Sequence, residues 1–120
     1  MSTVKCFEDL DIWKEAVSLS LQVYEQLKDC RDYGFRDQIQ RSAISVPSNI
    51  SEEFERQTNK EFIQYLYIAK GSCGELRTQL YIASKVSIVK VEVAHQLIEE
   101  AKKLSSKIFK LIEYRKNYKK

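Results

Sequence analysis

From Phe62 to Ala83 the chain carries an apolar residue at alternating steps of four and three: Phe62, Leu66, Ala69, Cys73, Leu76, Leu80, Ala83. A heptad seam of this length folds as a helix with one sticky stripe, and the stripe has to be buried against another helix. The chain supplies one. Ala94, Leu97, Ala101, Leu104, Ile108, Leu111 and Arg115 repeat the pattern, and Ile98 and Ile112 widen it. Thr58-Asn59-Lys60-Glu61 reads as a capping box opening the first of these helices, with the Thr58 hydroxyl and the Glu61 carboxylate each taking an orphan amide. Ser84–Lys90 is short enough to make the two helices antiparallel neighbours. A strand over Lys85–Val93 fits the alternating Val and Ile but has no partner strand. Gly71 and Gly74 weaken an isolated helix by roughly 1 kcal/mol each, which suggests that another backbone approaches closely there.

The N-terminal half contains two more periodic segments. Leu10, Trp13, Val17, Tyr24 and Leu27 form one stripe, interrupted by Ser20, with Leu19 and Val23 on a neighbouring face; the expected helix runs from Asp9, as N-cap, to Cys30. Asp32-Tyr33-Gly34 reads as the turn that ends it. Phe35, Ile39, Ala43, Val46, Ile50 and Phe54 form the second stripe, over 35–56. Pro47 lies in its middle, but the stripe keeps its phase, which predicts one kinked helix rather than two short ones.

Three Gly and one Pro in 120 residues are too few turn residues for a sandwich or barrel. The expected fold class is therefore all-α: an antiparallel up-down-up-down four-helix bundle, kinked at Pro47, as a single domain over residues 1–120 with a basic tail at 115–120. No apolar run reaches the ~20 residues of a membrane span, and no signal-peptide pattern opens the chain, so a soluble cytoplasmic protein is expected. Cys6, Cys30 and Cys73 lack CxxC spacing and have one histidine, His95, for company, so neither a disulfide framework nor a zinc site is expected.

Catalysis requires titratable groups that converge, and His95 has no nucleophile or carboxylate pattern beside it. Glu52, Glu53 and Glu75 lack the Glu-x-x-His pattern of di-iron bundles, and no Gly-rich phosphate loop is present. No catalytic residue, cofactor or metal is assigned, and binding or assembly is the expected role.

Charge and surplus apolar surface suggest where such binding would occur. Residues 1–100 hold 12 Lys/Arg against 16 Asp/Glu, whereas residues 101–120 hold eight Lys/Arg against Glu113 alone. Lys102, Lys103, Lys107, Lys110, Arg115, Lys116, Lys119 and Lys120 are the candidate nucleic-acid contacts, with Tyr114 and Tyr118 interleaved for stacking. A basic helix end that only serves the helix dipole and solubility is the competing reading. Off the seam of the third helix lie Ile63, Tyr67 and Tyr81 on one line and Tyr65, Ile68 and Ile82 on another, more than one core face requires unless the stripe is simply wide in a small bundle. The second helix carries a polar row, Gln38, Arg41, Ser45, Asn49 and Glu52, answered by Ser72, Glu75 and Gln79. Arg41, Ser45, Asn49, Glu52, Tyr67, Ser72, Glu75 and Tyr81 are the candidate oligomer interface.

Three ordered blocks carry a family resemblance: Phe7 to Ala16 (FEDLDIWKEA), Tyr33 to Glu52 (YGFRDQIQRSAISVPSNISE), and Glu61-Phe62 followed by Ile68 to Leu80 (IAKGSCGELRTQL). On these the chain resembles the four-helix-bundle proteins encoded in intervening sequences of bacterial large-subunit ribosomal RNA genes. It departs from the pattern at Glu53, where the family usually has Gly. The resemblance implies a ring-shaped homopentamer, similar to the accessory proteins of diversity-generating retroelements, which bind nucleic acid and a reverse transcriptase through a basic surface. The expected partners are copies of the chain itself, RNA or DNA, or another protein. A protein-interaction scaffold with no nucleic-acid role is the alternative.

Overall fold

The computed structural model describes residues 6–55 and 58–117. They form a 3-10 turn, Phe7–Asp9, and four helices: α1 (Asp11–Leu27), α2 (Tyr33–Glu55), α3 (Asn59–Lys85) and α4 (Val91–Lys116). Each helix packs on two others, α1 on α2 and α4, and α3 on α2 and α4, so the four enclose one core. The α1–α4 and α3–α4 pairings run in opposite senses. Lys107 of α4 meets Glu15 of α1 while Glu100 meets Gln22, and α3 meets α4 at Asn59 with Arg115 and at Lys70 with Phe109. Among the described residues there is no strand.

Most of the two seams is buried, Leu66, Ala69, Cys73, Leu76, Leu80 and Ala83 on α3 and Ala94, Leu97, Ala101, Leu104 and Ile108 on α4, with the flanking Ile98 and Ile112 buried too; Phe62, Leu111 and Arg115, expected on the seams, are only half-buried. Thr58 caps α3 by accepting the Glu61 amide at 3.2 Å. The other half of the box differs from expectation, because the Glu61 carboxylate takes the Thr58 hydroxyl hydrogen, at 3.1 Å. The Val- and Ile-rich connection is a helix stop, not a strand. Ser87 adopts a left-handed φ of 64° and donates its amide to Ser84, and the Ile88 amide turns back to the Ala83 carbonyl at 2.8 Å. These are the two reverse hydrogen bonds of a Schellman motif, with serine where glycine is usual.

α1 is rotated from its sequence reading. Its buried face is Ala16, Leu19, Ser20, Val23 and Leu27, while Tyr24 is exposed and Trp13 and Val17 are half-buried. Ser20 therefore lies inside the core face rather than interrupting it. The helix starts after Leu10, not at an Asp9 cap, and ends at Leu27. Asp32-Tyr33-Gly34 opens α2 rather than closing α1. The Asp32 carboxylate accepts the Phe35 amide at 3.2 Å, and no glycine has a positive φ. α2 passes through Pro47 as one helix, burying Ile39, Ala43, Val46, Pro47 and Ile50; its expected last residue, Arg56, lies outside the described residues.

The glycines of α3 do not admit a neighbouring backbone within the chain. A Cβ on Gly71 would meet nothing within 4 Å, and one on Gly74 would meet only Nη2 of Arg77, at 3.8 Å. Among the described residues no helix is long and apolar enough to cross a membrane.

Candidate nucleic-acid interface

The heptad seam of α4 places its lysines on two flanks. Lys103 and Lys107 project over α1, where they share a shallow pocket of about 380 Å³ with Lys14, Glu15 and Glu100. Carboxylates balance much of this flank, and Lys107 is bound to Glu15 at 2.7 Å. Lys102 and Lys110 project over α3 instead. With Lys70, Arg77, Ser105, Ser106 and Phe109 they line a groove of about 650 Å³ that contains no carboxylate. Glu99, outside that lining, pairs with Lys102 at 3.3 Å.

Two features make this groove more than a solvated lysine row. Phe109 keeps 45% of its surface exposed beside it, off the buried line of Ile108 and Ile112, with the Lys70 ammonium 5.8 Å from its ring centroid. The Nε of Arg77 is buried and has no hydrogen-bond acceptor. Clustered cations that outnumber the one acid paired with them raise the local concentration of polyanions, and an aromatic face beside them offers a stacking surface. Lys70, Arg77 and Phe109 were missed from sequence. The available signal was the seven-residue spacing of Lys70 and Arg77, which puts both on one flank of α3.

Arg115 is committed elsewhere. Its guanidinium lies over Phe62 at 4.2 Å and faces Glu53 at 3.6 Å, and its carbonyl accepts from the Asn59 amide at 2.6 Å. Glu53 is only 2% exposed. Burial pushes its carboxyl up to about 7, against the opposing pull of Arg115, and its Oε2 has no hydrogen-bond partner. Lys116 sits 5.6 Å from the Tyr67 ring, and the Tyr67 hydroxyl and then Glu113 push its pKa up. Lys119, Lys120 and Tyr118 lie outside the described residues.

The candidate interface residues separate into two groups. Ser45, Asn49 and Ser72 bond to one another within the chain: the Ser45 and Ser72 hydroxyls are 2.8 Å apart, and Asn49 donates to the Ser45 carbonyl at 2.8 Å. This is a polar lock between α2 and α3. Arg41 and Glu75 line a shallow pocket on the same seam. Tyr67 and Tyr81 are open on the outer side of α3, near Ile68 and Ile82; Tyr81 is 46% exposed, and Glu52 is also exposed. Cys73 is buried, and burial pushes its thiol up to about 11, which makes it a poor nucleophile. Among the described residues no three His, Cys, Asp or Glu side chains converge as metal ligands would.

Residues 8–110 match the family described as 23S rRNA-intervening sequence protein. The chain belongs to this family. As an intervening sequence protein it is also similar in fold to a crystal structure from Bacteroides thetaiotaomicron VPI-5482, a protein of unknown function from the S23 ribosomal protein family. The two are 19% identical with a TM-score of 0.79, over 84% of this chain and 97% of that one. No curated protein matches it. The likeness at 19% identity concerns the fold alone.

Proposed function

We propose that this intervening sequence protein is a non-enzymatic, self-associating helical bundle that binds RNA or DNA through phosphate contacts, without reading base sequence. The observation that carries the reading is the α3–α4 groove, where Lys70, Arg77, Lys102 and Lys110 meet with no carboxylate in the lining. Lysine and arginine on helix exteriors bind phosphate oxygens, which position a strand but carry no sequence information.

Self-association is supported by the outer face of α3, where Tyr67, Ile68, Tyr81 and Ile82 are all more than 40% exposed. Assembly multiplies a modest basic surface. Five copies, the number that the resemblance implies, would bring five such grooves onto one particle and convert weak single contacts into avid ones. The test is the mass by light scattering, then binding of labelled RNA and DNA over a salt series. Affinity that falls steeply with salt and collapses in Lys102→Glu/Lys110→Glu supports the reading. Absence of binding at low salt would leave a protein-interaction scaffold, for which the exposed Tyr24 and Ile44 beside Arg41 provide a second surface.

A further inference from the structure

We propose that the α3–α4 groove takes single-stranded rather than duplex nucleic acid, with phosphates on Lys70, Arg77, Lys102 and Lys110 and a base stacked against Phe109. This rests on the nucleic-acid reading and narrows it.

The argument starts from the ring. Phe109 is half exposed on a helix whose core line is already filled by Ala101, Leu104, Ile108 and Ile112. An aromatic face among cations suits a base that can be splayed out and laid flat upon it. In a duplex, stacked and paired bases present only their edges, so the ring finds no face to stack on. The Lys70 ammonium lies over the ring, so a base laid on that face of Phe109 displaces it, and the flexible lysine stem lets it move to the phosphate of the same nucleotide.

The cations are spaced for a strand. Lys102 and Lys110 are eight residues apart on α4, about 12 Å of helix, and Lys70 and Arg77 are seven apart on α3, about 10 Å. Because the helices are antiparallel, the two rows lie side by side over a length that corresponds to about three stacked nucleotides at 3.4 Å each. Both rows are held rigidly, since Ala69, Cys73 and Leu76 on α3 and Ala101, Leu104 and Ile108 on α4 are buried directly behind them. Arg77, half-buried, lines the groove and offers its guanidinium to a phosphate oxygen, while its Nε is shut off from solvent and has no acceptor in the chain.

The experiment measures fluorescence anisotropy of the full-length protein with a labelled 20-nucleotide oligo-U, a 20-nucleotide oligo-dT and a 20-base-pair DNA duplex, at matched salt. The expected result is at least tenfold tighter binding of the single strands. Phe109→Ala should cost the single strands roughly 5- to 150-fold, the range of one base stack, leave duplex binding and the salt slope unchanged, and be rescued by Phe109→Tyr. Lys70→Ala should instead flatten the salt slope on every probe. Circular dichroism and light scattering of each variant identify any change in fold or assembly, and Phe109→Tyr keeps the comparison valid if Phe109→Ala alters either. Equal affinity for duplex and single strands, or a Phe109→Ala protein that binds single strands like wild type, overturns the single-strand inference. If Lys102→Glu/Lys110→Glu still abolishes binding in that case, the broader phosphate-binding reading survives. Wild-type protein that binds no probe at low salt overturns both.

Discussion

Ser20 of α1 donates its hydroxyl to the carbonyl of Ala43 on α2 at 2.9 Å, and Ala43 is the residue whose carbonyl Pro47 leaves without an amide partner. Proline has no N–H to return to the residue four positions earlier, so a helix that continues through it exposes one acceptor. Here the neighbouring helix fills that position. Ser20 Oγ also lies 3.0 Å from its own Ala16 carbonyl, but that carbonyl has a helical amide as well.

Ser20→Ala should therefore cost about 1–3 kcal/mol, the penalty for leaving a buried acceptor unpaired. In Pro47→Ala the amide returns to Ala43, the fold is kept, and the serine becomes less important. Urea unfolding of both single variants and the double variant gives the coupling, expected to exceed about 0.5 kcal/mol. Strictly additive effects would show that the hydroxyl does not serve the proline.

Glu53 makes stability depend on pH. Its carboxyl is raised from 4.5 to about 7 in the folded chain, so between those values the folded state holds a proton that the unfolded state has lost. The contribution is fully present below about pH 4.5 and is lost as pH rises through about 7, up to about 3 kcal/mol in total. Glu53→Gln should remove that fall. Urea midpoints at pH 5 and pH 8 provide the comparison, and a wild type no less stable at pH 8 would show that Arg115 keeps the carboxylate charged.

The outer face of α3 distinguishes a chain that stands alone from one that assembles. Tyr81→Glu should shift the mass toward monomer while helicity is retained, because a carboxylate in a desolvated interface costs several kcal/mol. Gly71→Ala has open space around its new methyl and should stabilise the helix by roughly 1 kcal/mol. A lower melting temperature in Gly71→Ala would place a second copy's backbone against this face.

Ser87 holds a left-handed conformation that glycine adopts without a steric penalty. Ser87→Gly should raise stability by about 1 kcal/mol in thermal or urea unfolding. No gain would mean that the greater freedom of glycine in the unfolded chain offsets the relieved strain.

The seams of α3 and α4, the Thr58 cap and the all-α class are legible in the sequence, because heptad spacing and capping are local patterns that need no knowledge of the partner. The family was legible too, in three blocks of adjacent residues. The face that α1 buries was decided only by packing. Two apolar lines run along that helix, and Ser20 marks the buried one only once Ala43 and Pro47 are known to lie opposite it. The same holds for the candidate interface. The run of basic residues near the C-terminus is visible in the chain, but its division into a carboxylate-balanced flank over α1 and a groove over α3 whose lining holds no carboxylate depends on what α1 and α3 present: Glu15 on one side, Lys70 and Arg77 on the other. Local sequence sets which side chains a helix carries; its neighbours determine which charges remain unbalanced, because an electrostatic field is a sum over whatever lies nearby in space.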